Sequence, residues 1–286
     1  IREPHVAGEI LEAGKADFIA LGRALIADPE WPNKAQAGQV AAIRRCFGCN
    51  ECVIARHVDD ALLRCSLNAT VGRNPEAGRL ERTTTPKTVL VIGGGPAGME
   101  AARVAALRGH RVTLYEQRRC LGGMLNVAAV PPGKEKLNWV TEYFAHELPR
   151  LGVEIHLGQT LEAEMVRAMS PDVVIVATGS TPAIPDIPGA NGSNVLIAQE
   201  LLRNQSRFTG KRFAIIGGGM LGLETGEYLA AQGNHTVILK RYETIARDIE
   251  PLYRDYLLRK LEELGVEIVT KVELMAIQAE GVLVRD

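Results

Sequence analysis

Val91-Ile92-Gly93-Gly94-Gly95-Pro96-Ala97-Gly98-Met99-Glu100 opens on an apolar pair, breaks into glycines and closes on helix-forming residues. The same pattern returns 124 positions later as Ile215-Ile216-Gly217-Gly218-Gly219-Met220-Leu221-Gly222-Leu223-Glu224. Further on, Leu151-Gly152-Val153-Glu154-Ile155 recurs 113 positions later as Leu264-Gly265-Val266-Glu267-Ile268. Matches in the same order over several elements point to two copies of one fold unit. Each copy reads strand, glycine turn, helix, strand. Val89 to Ile92 suits a short buried parallel strand. Ala97 to Leu107 has helical composition and stops before Gly109, a C-terminal cap, and Val112 to Tyr115 supplies the second strand. In the second copy Pro251 opens a helix with apolar positions at Leu252, Tyr256, Leu258 and Leu261, ending at Gly265. This alternation predicts an α/β fold with parallel sheets, built as two Rossmann-like dinucleotide-binding domains.

Gly93-x-Gly95-x-x-Gly98 follows a strand and opens a helix, the setting in which this fingerprint carries weight. The first glycine allows the tight turn, the second lets a pyrophosphate approach the backbone, and the third lets helix and strand pack closely. Unpaired N–H groups at the helix start then face the phosphates. Glu116, 18 residues beyond Gly98 at the end of the second strand, is placed to accept hydrogen bonds from an adenosine ribose. Gly217-x-Gly219-x-x-Gly222 is the second cradle. Aligning His110 to Glu116 with His235 to Arg241 puts Arg241 where the acid stood, whereas the ungapped match puts Lys240 there. A basic side chain does not accept from a ribose 2′-hydroxyl but pairs with a 2′-phosphate, so NADPH is favoured over NADH. The competing reading leaves Lys240 and Arg241 solvated at a strand end, with Glu243 taking the ribose.

Cys46, Cys49, Cys52 and Cys65 read C-x2-C-x2-C-x12-C. Three thiolates from one short loop reach three corners of a cubane and a fourth from a nearby segment closes it, as at the start of bacterial ferredoxin sites. Zinc is the rival, but it usually takes its cysteines in two separated pairs. A role as small core residues is a poor reading for three cysteines beside Gly48 and Asn50, so a [4Fe-4S] cluster is favoured. Cys120 stands apart and reads as a buried thiol. His57, beside the cluster segment, is left without a role, a lone histidine being more often structural.

Composition narrows the classes further. Across 286 residues, 46% hydrophobic and 23% charged suits a folded chain rather than a disordered one. Lys and Arg number 33 against 34 acids, a net charge of -1 with no basic stripe, which removes the footprint of nucleic-acid binding. No apolar run approaches the roughly 18 residues of a membrane span, and no signal peptide is legible ahead of the first domain. Four of the five cysteines crowd together, unlike a disulfide framework, so the expected setting is a reducing cytoplasm. The expected partners are a small-molecule substrate and a nicotinamide dinucleotide, with neither nucleic acid nor membrane; the oligomeric state is not legible. Asp17 to Arg23 reads as a buried strand leading into a Gly-Arg turn, yet little chain precedes it and the first residue is Ile. Lys211 to Asp286 is short for a whole dinucleotide unit, so the expectation is a piece of a larger protein.

A cysteine cluster followed by two cradles resembles the C-terminal part of the iron–sulfur flavoprotein branch of the old yellow enzyme family. That branch includes 2,4-dienoyl-CoA reductase, 2-enoate reductase and trimethylamine dehydrogenase. The resemblance spans nearly the whole chain and rests on Gly22-Arg23, the four cysteines, Gly93 to Gly98, Gly122-Gly123-Met124, Ala177-Thr178-Gly179 and Gly217-Gly218-Gly219. It implies residues 1–45 as the end of an FMN-binding (β/α)8 barrel and 46–85 as the cluster segment and linker. Residues 86–205 would be an incomplete FAD domain, and 206–286 a truncated NAD(P) domain nested in it. A barrel needs about 250 residues, so nearly all of it would be missing. By the same resemblance, Gly22 and Arg23 would contact the FMN phosphate, and Gly122, Gly123, Thr178 and Gly179 would line the FAD site.

The implied activity passes electrons from NAD(P)H through FAD and the cluster to FMN, reducing an activated C=C bond of enoate or dienoyl-CoA type. Arg247 to Ile268 looks most like the 2-enoate reductase relatives, and the second fingerprint is intact. An amine dehydrogenase delivering electrons to an external carrier is the alternative. Its favouring feature is the cysteine spacing, which resembles trimethylamine dehydrogenase more than dienoyl-CoA reductase, where one extra residue precedes the third cysteine. An electron-transfer module like the small subunit of glutamate synthase is a third reading, but such modules generally carry two groups of four cysteines. Substrate-binding groups and the proton donor would lie in the barrel, and no residue here is assigned to catalysis.

Overall fold

The computed structural model describes residues 1–57, 59–73, 80–247 and 249–285. Val58, residues 74–79, Asp248, Asp286 and the His57 side chain lie outside the described residues, and with them part of the expected 46–85 linker. Contacts divide the chain into two units, Ile1–Leu125 with Lys136–Gly179, and Asn126–Glu135 with Ser180–Asp286.

The first unit begins with three helices, α1 (Pro4–Glu12), α2 (Arg23–Ala27) and α3 (Trp31–Gln36), gathered on Ala7, Ala24, Trp31 and Ile43. Trp31 completes its burial by donating its indole N–H to the Arg2 carbonyl at 3.1 Å. The strand expected over Asp17 to Leu21 does not form. Ile19 and Leu21 pack on the small core, but Phe18 points outward, 89% exposed. A strand exists only by pairing, and among the described residues none pairs with this segment.

Helix α4 (Glu51–His57) follows the cysteine loop, and then a four-stranded parallel sheet begins. Its strands β1 (Thr88–Ile92), β2 (Arg111–Glu116), β3 (Glu154–Leu157) and β4 (Val173–Val176) stand in the order β3-β2-β1-β4. Helix α5 (Pro96–Leu107) opens with Pro at a position that needs no N–H, and Gly109 ends it at φ +88°, where a side chain would be strained. Helices α6 (Asn138–Arg150) and α7 (Ala163–Met169) provide the later crossovers. Val91, Met99, Ala102, Leu114 and Leu148 are fully enclosed between sheet and helices. Each large side chain among them contributes about 1.5–3 kcal/mol on burial.

The second unit carries α8 (Ala198–Arg203) and a three-stranded parallel sheet, β5 (Arg212–Ile216), β6 (His235–Lys240) and β7 (Glu267–Thr270). Helix α9 (Met220–Ala230) joins β5 to β6, and α10 (Pro251–Glu263) leads to β7. An antiparallel hairpin, β8 (Glu273–Gln278) and β9 (Gly281–Arg285), completes it. Of the four apolar positions expected on α10, Leu258 and Leu261 pack on the core and the other two do not. Leu257 and Leu261 are buried with Tyr253 packed beside them, while Leu252 and Tyr256 are exposed. A stripe running 253, 257, 261 has the i, i+4 spacing that holds one helix face against α9, and Leu252 and Tyr256 lie off it. The start of α10 is fixed by Glu250, whose carboxylate accepts the Leu252 and Tyr253 N–H groups at 3.0 and 2.9 Å.

The two sheets share one register. Ile92 lies opposite Tyr115 and Ile216 opposite Leu239, so the 124-residue displacement holds across both first pairs of strands. Third strands follow with a displacement of 113, Thr113 opposite Glu154 and Val237 opposite Glu267.

Candidate cofactor sites

At the carboxyl edge of the first sheet the backbone of three segments is pressed together. Gly93 donates its N–H to the Tyr115 carbonyl at 2.8 Å and adopts φ +112°. A Cβ there would stand 2.2 Å from the Ala177 carbonyl oxygen. A Cβ on Gly98 would stand 1.8 Å from the Gly93 carbonyl oxygen, so only glycine lets α5 sit this close to β1. Gly95 differs, since a Cβ there meets no atom within 4 Å. The open space lies before the first N–H groups of α5, where a pyrophosphate would approach, so the cradle fits a dinucleotide.

The other expected residues converge on this edge. Gly122 and Gly123 both have positive φ, Gly122 donates to the Gly94 carbonyl at 2.8 Å, and a Cβ on Gly123 would be 3.0 Å from Gly95 Cα. Thr178 and Gly179 continue from β4 directly beyond Ala177. Glu116 is buried at the end of β2, where one carboxylate oxygen accepts the Gly94 N–H at 2.6 Å and the other the Arg118 N–H at 2.8 Å. Each oxygen keeps a second acceptor site for a ribose hydroxyl. Gly94, not singled out in the sequence, is required as well, because a Cβ on it would press on Leu121 at 2.8 Å and on Glu116.

The second cradle repeats the turn and the close helix approach, though a Cβ on Gly217 meets no atom within 4 Å where one on Gly93 meets Ala177. Gly217 donates to the Leu239 carbonyl at 2.9 Å, and a Cβ on Gly222 would lie 2.0 Å from the Gly217 carbonyl oxygen. Gly219 stands just ahead of the first turn of α9. Ala246 donates to the Gly218 carbonyl at 2.8 Å, as Gly122 does to Gly94. The unbroken 124-residue displacement puts Lys240, not Arg241, in register with Glu116, which settles the two alignments left open by the sequence. A cavity of about 450 Å³ lies here, lined by Ile216, Gly217, Leu239, Lys240, Arg241 and Tyr242. Arg241 lies 4.7 Å from the Tyr242 ring centre and Lys240 5.6 Å. Glu243 is an ion-pair partner of Lys271 at 3.0 Å.

One feature of α9 escaped the sequence. Glu224 and Glu227 are buried, and Lys134 pairs with Glu224 at 2.7 Å while lying 4.1 Å from the Tyr253 ring centre. The Tyr253 hydroxyl donates to Glu224 at 3.1 Å. Burial, with the neighbouring Glu224 charge, pushes the Glu227 carboxyl up, and burial beside Glu224 pushes the Tyr253 phenol up. Nothing in the local pattern joins Lys134 to a helix so far along the chain.

The four cysteines also belong to the first unit. Cys46 and Cys49 lie on the loop before α4, and Cys52 is in its first turn. Gly48 (φ +84°) and Asn50 (φ 60°) turn that loop back on itself. Arg64, just before Cys65, pairs with Glu51, just before Cys52, which brings the two segments alongside each other. Burial pushes the Cys65 thiol up, opposed by the Leu67 and Asn68 N–H groups, and the Cys49 and Cys46 thiols act in the same sense as burial. Among the described residues no group of three or more His, Cys, Asp or Glu side chains is set to hold a metal ion. What fits a cluster is the donor set, four sulfurs with the Leu67 N–H directed at one of them. Cys120 is exposed, contrary to expectation, because the next residue, Leu121, takes the buried place under the cradle. Gly22 precedes α2, and Arg23 donates to the Asn50 side chain at 2.6 Å. Both line a cavity of about 600 Å³ with Cys46, Lys136 and Trp139.

Two parallel sheets, each with a glycine cradle at its carboxyl edge, define a dinucleotide-binding fold of the kind used by pyridine nucleotide enzymes. The chain belongs to the pyridine nucleotide-disulphide oxidoreductase family, whose model matches residues 87–285. It is 42% identical over 286 residues to NADH oxidase of Thermoanaerobacter brockii, covering 99% of this chain and 44% of that protein. It is 40% identical over 283 residues to bilirubin reductase of Mediterraneibacter gnavus, covering 98% and 43%. The solved complex of 2-naphthoyl-CoA reductase with 2-naphthoyl-CoA superposes with a TM-score of 0.94 at 30% identity, covering 99% of this chain and 43% of that one. Its relatives are old yellow enzyme-related flavoproteins, as the motifs suggested. The chain spans less than half the length of these relatives. No helix among the described residues is long and apolar enough to cross a membrane.

Proposed function

We propose that this chain is the electron-input part of an NAD(P)H-dependent flavoprotein reductase acting on an activated C=C bond. In this reading the first cradle holds FAD, the second holds NADPH and the four cysteines hold a [4Fe-4S] cluster. Gly22 and Arg23 meet the phosphate of FMN. The carrying observation is a pair of intact cradles with opposite charge at one register position, Glu116 in the first and Lys240 in the second. Held in the first cradle, FAD would supply an acceptor for the two electrons of a hydride and a donor of single electrons, the form suited to a cluster held by the four cysteines.

The residues divide the work accordingly. Gly93, Gly98 and Gly122 bring the backbone close enough for the α5 N–H groups to face a pyrophosphate, and Glu116 accepts from the ribose beside it. In the second cradle Lys240 pairs with a 2′-phosphate, and Arg241 and Tyr242 flank it. The name of the Thermoanaerobacter relative speaks of NADH; the basic side chain at this register favours the phosphorylated form here.

Lys240→Ala tests the assignment in the protein at its natural length. A hydrogen bond to a charged group contributes about 1.5–3 kcal/mol, so the NADPH dissociation constant should rise roughly 10- to 100-fold. Binding of NADH should change little. Equal changes for both nucleotides, or none for either, would remove Lys240 from the 2′-phosphate.

A further inference from the structure

Asn68 lies three residues after Cys65, with its side chain enclosed and 2% exposed. Its amide donates to the Ile26 carbonyl in α2 at 3.0 Å. Its side-chain oxygen accepts the Thr70 N–H at 3.3 Å and the Thr70 hydroxyl at 2.7 Å. A buried amide paired at both ends fixes its loop, because each broken bond would strand a desolvated polar group. The Cys65 sulfur accepts the Leu67 N–H at 3.4 Å. Arg44, two residues before Cys46, donates to the Leu67 carbonyl and the Asn68 side-chain oxygen, each at 3.4 Å. The Arg44 N–H donates to buried Asp28 at 2.9 Å. One amide therefore stands where both cysteine segments and α2 meet.

We propose that Asn68 is a positioning residue for Cys65: by tying its loop to the Ile26 carbonyl, it holds Cys65 as the fourth thiolate of the cluster and keeps the Leu67 N–H on that sulfur. The proposal rests on the [4Fe-4S] reading above. Hydrogen bonds to a ligating sulfur stabilise the more negative, reduced cluster, and partners behind the ligands set how tightly the metal is held. Asn68 thus acts on Cys65 through geometry, without touching the metal.

The test uses the natural-length protein purified without oxygen. Iron, inorganic sulfide and flavin per chain are measured, with the rate of iron release to a chelator and the cluster midpoint potential. Asn68→Ala should release iron roughly 10- to 100-fold faster and shift the potential negative, with flavin content unchanged. Should that variant lose its flavin too, Asn68→Asp decides in its place. It keeps the volume and the acceptor for Thr70 but loses the donor to Ile26, and iron release should be faster. Unchanged release and potential in a variant with full flavin would overturn the role of Asn68 alone. Zinc, or no inorganic sulfide, in the unaltered protein would overturn the cluster reading and this proposal with it.

Discussion

Gly98→Ala should empty the first cradle of FAD and destabilise the first unit, whereas Gly95→Ala should cost the flavin alone. The contrast follows from what each added methyl meets. At Gly98 the new carbon lies 1.8 Å from the Gly93 carbonyl oxygen. Neither partner yields easily, since Gly93 is hydrogen-bonded to Tyr115 and backed by the Ala177 backbone. The helix has to move outward, loosening Met99 and Ala102 where they pack on the sheet. Overpacking of this kind costs about 1–3 kcal/mol, and more where backbone meets backbone. At Gly95 the methyl meets nothing in the protein and φ is an ordinary -77°. Stability should stay within about 0.5 kcal/mol of the parent, while the methyl occupies the pyrophosphate's approach. Thermal unfolding and flavin content of the two variants check this directly. A Gly95→Ala protein that keeps its full flavin would show that no phosphate lies over the first cradle.

On the proposed [4Fe-4S] reading, Cys52→Ser should remove the cluster and separate nucleotide oxidation from substrate reduction. Cys52 stands in the first turn of α4 while its partners lie on loops, so it is held by helix as well as by neighbours. Serine leaves that helix intact but exchanges a soft thiolate ligand for a hard oxygen. Reduction of FAD by NADPH should persist, because both cradles lie elsewhere in the chain. Reduction of a C=C substrate should fall to background, because electrons would have no carrier to FMN. Iron analysis, flavin bleaching and substrate turnover on one preparation separate these outcomes. Full turnover in the variant would place the electron path elsewhere.

Much of this fold is legible because the sequence states it twice. The displacement between the two fingerprints predicts both sheets, and Gly109, Pro251 and Gly265 mark helix ends by backbone chemistry alone. The features that the sequence does not show depend on neighbours the local pattern does not name. Composition marks Leu252 and Tyr256 as apolar, but the stripe through Leu257 and Leu261 is selected by packing against α9. Phe18 sits in a strand-like run that finds no strand to pair with among the described residues. Lys240 and Arg241 are equally basic in sequence, and only the register opposite β5 distinguishes them. Buried polar ties such as Lys134 with Glu224, or Asn68 with Ile26, leave no periodic trace because their partners are remote in the chain.

The most direct measurement is anaerobic mixing of the natural-length protein with NADPH, NADH or a simple tertiary amine while the flavin absorbance is followed. Rapid bleaching by NADPH, slower bleaching by NADH and none by the amine is the expected result. Bleaching by the amine alone would contradict the account, making the protein an amine dehydrogenase and leaving Lys240 without a nucleotide to bind.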